Sequence, residues 1–288
     1  MQKRLQGLVC TLIFLMVAEI AAGEVTMIAP QEPVGQGEVV SIQLAGLAEA
    51  AEVKGVWQGQ PVEFFQHGEE EYSSLLGIDL SLKPDTYPLE VRVESSENKV
   101  RVYRTGIQII KTDYGVQRLT LPADMVTLDG ATLKRVRKEG AEFKKLWGVY
   151  TPKRYWFGSF VKPVEGRLTS TFGLRRILNG EPRSSHSGVD LSTALGEPVR
   201  AANHGRVVLV GEFFFHGKAI VLDHGWGLYT MYFHLSEVNV SQGDLVGKNY
   251  VIGLAGSTGR ATGPHLHWGV RLGGARVDPF ALVRATGG

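Results

Sequence analysis

The chain has 288 residues, with 31 Lys and Arg against 29 Asp and Glu, a net charge of +2, 43% hydrophobic and 21% charged residues. That length holds about two domains with cores of their own, the near-neutral charge excludes a strongly basic nucleic-acid binder, and the ordinary hydrophobic content excludes a disordered chain or a multi-span membrane protein. Thirty-six glycines favour tight turns and short strands over long helices.

Lys3 and Arg4 precede an apolar run from Leu8 to Ala18, and Ala21-Ala22-Gly23 supplies small residues before Glu24. This order predicts a secretory signal peptide over residues 1–23, and with it export to the cell envelope. The run is short for a span and Glu19 interrupts it, so no transmembrane segment is expected once the signal is removed. Cleavage removes two cations and one anion, leaves +1, and takes away the only cysteine, Cys10. An exported chain without cysteine forms no disulfide and must rest on its cores or on a metal.

From Glu24 to about Ile110 the pattern alternates. Residues 39–44, 53–57, 87–93 and 100–110 read as strands separated by Gly and Pro clusters, which predicts a small β-sandwich over 24–113. Pro84-Asp85-Thr86-Tyr87 enters its strand as a tyrosine corner does, and the segment resembles bacterial immunoglobulin-like modules. That resemblance implies a spacer or docking module without chemistry of its own.

Residues 114–154 read as a helical connector. Its helix is expected at 129–147, with Asp129 as the cap and with Leu133, Val136, Phe143 and Trp147 on one face, broken by Gly140. The opposite face carries Lys134, Arg135, Arg137, Lys138, Lys144 and Lys145 against Glu139 and Glu142, as a solvated helix face does. From Tyr155 onward no helical periodicity persists. Glycine-bounded runs at 206–210, 219–222 and 228–233 predict a compact antiparallel β domain over 155–288, so the fold class is mainly β.

Seven of the eight histidines lie between His186 and His267. The side chains of His186-Ser-Gly-Val-Asp190, fully extended, would stand about 13 Å apart, so the pair shares one ion only if Gly188 lets the chain bend. His265-Leu-His267 in a strand puts both rings on one face about 7 Å apart, with Trp268 turned to the core. One ring of such a pair can bind a metal while the other reaches its water or the substrate. Joined by His234 of Met231-Tyr-Phe-His-Leu235, these imidazoles and the carboxylate form a zinc-type donor set that leaves a position for water. His224 reads as structural, and His204 and His216, beside glycines, as solvated turn residues. No His-Glu-x-x-His occurs, Ser257 in Ala255-Gly-Ser-Thr-Gly259 is no nucleophile elbow, and no Walker-type loop appears.

These motifs are joined in order by Pro198-Val-Arg-Ala-Ala202, Gly205-Arg-Val207, Asp223-His-Gly225, Gly256-Ser-Thr-Gly259, Thr262-Gly-Pro-His265 and Val277-Asp-Pro279. Together they resemble the core of the lysostaphin-type (LytM-like) zinc endopeptidases from about Phe160 to Val283. The resemblance implies one zinc ion per chain, held by His186, Asp190 and His267 in a groove lined by antiparallel strands. It makes His234 and His265 the catalytic pair around the zinc-bound water. Its substrate would be peptidoglycan, cut at a peptide bond of the stems or cross-links, such as D-Ala–diaminopimelate in a Gram-negative periplasm. In latent relatives an asparagine upstream of the core fills the metal's open position; Asn179 is a candidate for that place, but Asn179-Gly180 reads first as a plain turn. The helix at 129–147 is a second candidate cover for the groove. The rival class is a non-enzymatic LytM-like activator of wall amidases, whose members lose metal ligands; here all five residues are present.

Overall fold

The computed structural model describes residues 25–47, 50–123 and 126–287, and the signal peptide expected at 1–23 lies outside the described residues. Among the described residues no helix is long and apolar enough to cross a membrane.

Alternation builds the N-terminal region. In the Asp85–Ser95 strand Leu89, Val91 and Val93 are buried while Glu90 and Arg92 face outward. This strand lies in a five-stranded sheet ordered Val34–Gly35, Val100–Ile110, Asp85–Ser95, Ala50–Trp57, Gln60–Glu63. A four-stranded sheet ordered Thr26–Ile28, Val39–Ala45, Tyr72–Gly77, Phe65–Gln66 supplies Ile42, Leu44 and Leu76 to the same core. The Tyr87 hydroxyl donates to Lys83 O at 3.0 Å, four residues upstream, and fixes the chain where it enters its strand.

The C-terminal region is a ten-stranded antiparallel sheet. Its main path runs Arg167–Ser170, Gly188–Ser192, His265–Leu272, Leu228–Val238, Gly217–Gly225, Gly205–Phe213, Leu245–Val246. The Leu228–Val238 strand is covered on both sides. Tyr232 joins Trp268, Ile220, Leu222 and Val270 in the main core, while Tyr229, Met231 and Phe233 alternate to a second cluster with Phe213, Ala219 and Val221.

A helix, Gly130–Leu146, closes that second cluster, one residue inside each expected end. Asp129 caps it by accepting from Thr132 N at 2.7 Å. It docks by its C-terminal half. Phe143 is its buried side chain, and Glu139 accepts from Phe214 N at 2.9 Å, whereas Leu133, expected on the docking face, is exposed. Two expectations change. The stretch 114–154 also contains a strand, Val116–Leu119, paired in parallel with Arg175–Leu178. A second helix, Pro279–Ala285, occurs where none was expected: Asp278 caps it and Pro279 opens it, a signal too short for periodicity to reveal.

The two β regions meet directly. A Cβ on Gly77 would lie 2.8 Å from Leu272 O, so the strand packs there only as glycine. Alongside, Arg276 donates to Asp79 through Nη2 at 2.9 Å and through its backbone N at 2.8 Å. Burial pushes the Asp79 carboxyl up, but the bonds from Arg276 and Ser81 outweigh it and hold the group well below the usual carboxylate range.

Candidate metal centre

The Gly188–Ser192 and His265–Leu272 strands pair with Asp190 directly opposite His267. His186 lies just before the first of these strands, and its ring comes over Asp190. Gly188 acts differently from the bend expected of it. A Cβ at that position would stand 2.4 Å from Trp268 O and 2.7 Å from His267 Nε2, so glycine makes room for the neighbouring strand and the His267 ring. As a result His186 Nε2 and Asp190 Oδ1 are 3.0 Å apart, His267 Nδ1 and Asp190 Oδ1 2.8 Å, and the two ring nitrogens 3.0 Å.

The surrounding bonds orient these three donors. His186 Nδ1 lies 2.9 Å from Thr171 O, which can only accept, so in the neutral ring Nε2 keeps its lone pair toward Asp190. Arg176 Nη2 donates to Asp190 Oδ2 at 2.9 Å and leaves Oδ1 to the cluster. Arg176 Nε in turn donates to Gln117 Oε1 at 3.1 Å, and Ser170, 3.2 Å from His186 Nδ1, donates to the same oxygen at 3.4 Å. Burial pushes the Asp190 carboxyl up, yet its contacts with the His186 and His267 rings prevail and hold it below the usual range. Burial lowers His267 to about 4 and so keeps it neutral near pH 7. Two imidazole nitrogens and one carboxylate oxygen converging on a point fit a divalent transition metal, with a coordination position left over.

His234 reaches the same place by breaking the strand rule. Phe233 stacks on His267 at 5.4 Å, so regular alternation would turn His234 to the opposite face with Tyr232. His234 instead has φ +65°, next to a register shift between Leu235 and Glu237. A non-glycine residue in the left-handed region is strained, and here the strain redirects the ring. It comes within 4.7 Å of His265 and 6.2 Å of His267, centroid to centroid. Its Nδ1 donates to Thr258 O and that of His265 to Gly263 O, both at 2.8 Å, so in each neutral ring Nε2 is the free acceptor. His265 Nε2 is 4.0 Å from Asp190 Oδ1. Burial pushes His234 down to about 3. The Thr258 loop is held tightly: a Cβ on Gly259 would lie 2.3 Å from Gly217 N.

The structure thus brings together all five histidine and aspartate residues singled out from the sequence. It moves others. The Asn179 side chain is bound on both sides to Leu121, accepting from its N and donating to its O at 2.9 Å each, and so does not fill the cluster. His216 is packed 4.4 Å from Phe233 and 4.8 Å from Phe143 instead of being solvated, and burial lowers it to about 4. His204 stacks on Phe157 at 4.1 Å. His224 is structural as expected, with Nδ1 on His204 O at 2.6 Å and Nε2 on Thr230 Oγ1 at 2.8 Å. The helix Gly130–Leu146 reaches the site's neighbours Phe233 and His216 through Phe143, as a buttress. Arg176, Gln117, Ser170 and Thr171 are the participants that sequence reasoning missed. Arg176 belongs to none of the sequence motifs, and Gln117 carries no local signal.

The sequence pattern of Peptidase family M23 matches residues 184–279. The DD-carboxypeptidase/endopeptidase Mpg of Neisseria meningitidis serogroup B is 38% identical over 123 residues, 43% of this chain and 28% of that protein. Peptidoglycan DD-endopeptidase ShyA of Vibrio cholerae is 37% identical over 119 residues, 40% of this chain and again 28% of the relative. The chain therefore spans little more than a quarter of the length of these curated relatives. A crystal structure from Pseudomonas aeruginosa assigned to peptidase M23 aligns over 88% of this chain and 96% of its own, at 32% identity and a TM-score of 0.68.

Proposed function

This chain belongs to peptidase family M23, and from that premise we propose that it is an exported zinc metalloendopeptidase that hydrolyses peptide bonds of peptidoglycan, D-Ala–diaminopimelate cross-links in particular. On this reading His186, Asp190 and His267 hold the zinc, and His234 and His265 act on water and substrate. Residues 24–113 are an immunoglobulin-like spacer or docking module, 114–154 the connector and 155–288 the peptidase domain, working in the periplasm. The observation that carries the proposal is the convergence of His186, Asp190 and His267, whose ligand atoms lie within 4.8 Å of one another. A non-enzymatic activator has no use for such a donor set. The name of the Vibrio relative, a peptidoglycan DD-endopeptidase, supports the substrate class.

Bound zinc supplies polarisation of the scissile carbonyl and a water acidic enough to attack near neutrality. The chain's own residues do the rest. Thr171 and Arg176 orient His186 and Asp190 so that each presents one donor atom. His234 and His265, each committed through Nδ1 to a carbonyl, offer Nε2 as acceptors for the proton of the attacking water. Once protonated, the same nitrogens can donate to the tetrahedral oxyanion and to the departing amine. Burial keeps His234 neutral at the start, as a proton acceptor must be.

The test is digestion of purified sacculi by the exported chain, read by mass spectrometry, with His267→Ala and a chelator as controls. Cross-linked dimers should disappear and free stems accumulate, and both controls should abolish the change. Intact dimers after incubation with zinc-loaded wild type would overturn the proposal.

A further inference from the structure

The docking of helix Gly130–Leu146 leaves most of its charge unanswered. Phe143 faces the body of the protein, and Arg135 and Glu139 are engaged there too. Arg135 Nε donates to Glu139 Oε1 at 2.6 Å and Arg135 Nη2 to Glu212 O at 3.4 Å, while Glu139 accepts from Phe214 N at 2.9 Å. One of the two acids that could balance this helix is thereby withdrawn from its outer face. Lys134, Arg137, Lys138, Lys144 and Lys145 stay exposed, and among the described residues none of their side chains has an ion-pair or hydrogen-bond partner. At about 100° per residue the five fall within an arc of about 120° opposite Phe143, spread over about 17 Å of helix axis. Gly130 and Ala141 are the other helix residues in that arc, and Glu142 lies outside it. A solvated face normally mixes signs; this one is cationic throughout. Its five charges exceed the net +2 of the whole chain, so the remainder of the chain is net negative. The helix also stands beside the candidate metal centre. Phe143 lies 4.8 Å from His216 and 5.9 Å from Phe233, centroid to centroid. Those two rings, with His186, His234 and His267, line a cavity of about 270 Å³.

We propose that the outer face of this helix is a docking surface for the carboxylate-bearing stems of peptidoglycan, an inference that rests on the peptidoglycan reading above. Stems of a diaminopimelate-type wall carry free carboxylates and recur along the glycan, so the partner is an extended array of anions. A row of exposed cations, four of them ammonium groups on flexible stems, suits such an array. Each contact is weak, but several form at once and none demands a fixed geometry. A lipid bilayer fits this helix less well. An interfacial helix buries its apolar face among the acyl chains, whereas Phe143 and Leu146 are turned to the protein. Because the helix packs on rings that line the cavity, a polymer held on its outer face keeps further stems close to the cluster. Docking therefore raises their effective concentration there without a new contact in the site.

Co-sedimentation with purified sacculi tests the proposal, using the zinc-loaded exported chain with His265→Ala so that binding is read without cutting. The comparison adds Lys134→Gln, Arg137→Gln, Lys138→Gln, Lys144→Gln and Lys145→Gln, because glutamine keeps helix propensity while removing charge. At about 50 mM salt the neutralised protein should bind about tenfold or more weakly, through the loss of five weak pairs. The difference should close by about 0.5 M salt, where screening confines each charge to a few ångström. Sacculi whose carboxylates have been converted to carboxamides should lose binding of the charged protein to the same extent. Equal binding by the two proteins at low salt, or binding that survives amidation, would overturn the proposal. If the substitutions abolish binding to anionic phospholipid vesicles and spare sacculi, the surface belongs to a membrane and the proposal falls. With His265 restored, neutralisation should slow digestion of sacculi by about fivefold or more at low salt, the gap narrowing as salt rises. If neither protein digests sacculi, the endopeptidase reading fails, and the binding comparison alone decides the docking surface.

Discussion

The two β regions of the molecule bury their interiors by different means. Among the described residues of the N-terminal region, the buried polar side chains are Ser73 and Ser74; in the C-terminal region they include His186, Asn203, Asp223, His224, Thr230, His234 and His267. The first interior is the product of alternation, apolar inward and polar outward. The second is wired. Ala202 N donates to the Tyr232 hydroxyl at 2.9 Å, that oxygen lies 2.9 Å from Thr230 Oγ1, and Thr230 reaches His224 at 2.8 Å. Packing tolerates small displacements, whereas a chain of directional bonds does not. A region that must hold ligand atoms within 4.8 Å of one another draws on the second kind of interior.

If the N-terminal region contributes packing and the C-terminal region geometry, a core truncation in the first should cost stability and leave the site alone. Leu89, fully buried in the Asp85–Ser95 strand, is the place to make it. Leu89→Ala should destabilise the chain by about 3 kcal/mol in denaturant unfolding, through lost burial and the cavity left behind. Zinc affinity, measured by chelator competition on the folded protein, should stay at the wild-type value. A parallel fall in affinity would break the comparison and make the Asp79–Arg276 contact a conduit between the regions.

A smaller effect sharpens the contrast from the other side. Burial holds His224 neutral, with a pKa lowered to about 4, while the unfolded chain binds a proton near the ordinary value of 6.5. The folded-state value is the depressed one, so this contribution to stability is fully present above about pH 6.5 and is lost as the pH falls toward 4. Between pH 7 and pH 5 the loss should be about 2 kcal/mol. Denaturant unfolding of wild type and His224→Gln across that range checks it, the variant showing the shallower slope. Equal slopes would mean that the His224 ring does not enter the balance.

The same contrast governs how much could be read from the sequence. Residue type and order pointed to the candidate cluster because chemistry restricts such donors to imidazole and carboxylate, and alternation placed His265 and His267 on one face and Trp268 in the core, as the strands do. Local rules then ran out. The left-handed turn at His234 brings a ring to the face that alternation denies it, and no neighbour in sequence announces that. His216 is buried because a helix from far upstream lays Phe143 against it. Asn179-Gly180 makes the expected turn, both residues at positive φ, but the clamp of the Asn179 side chain on Leu121 of the connector had no local signal. A Pro-opened helix of seven residues escapes any search for period. Each miss involves contact between segments distant in the chain or a backbone conformation outside the regular menu.

Gln117 is the extreme of that kind, and it yields the smallest and most pointed prediction. It belongs to the Val116–Leu119 strand, outside the motifs, yet its Oε1 accepts from Arg176, which holds Asp190, and from Ser170, which lies against His186. Gln117→Leu leaves both donors without their acceptor while keeping the size of the side chain. Outer partners of this type commonly change metal affinity by tenfold or more, so zinc binding should weaken about tenfold in chelator competition. Gln117→Glu keeps the accepting oxygen and should restore affinity. The visible spectrum of the cobalt(II)-substituted protein supplies a readout that lost stability would not move, because it reports the symmetry of the donor atoms: altered in the leucine variant, near wild type in the glutamate one. If both variants bind and absorb as wild type does, Asp190 and His186 are positioned by their own strands alone. The wiring that distinguishes the C-terminal region would then end at Arg176 and Ser170, short of the connector.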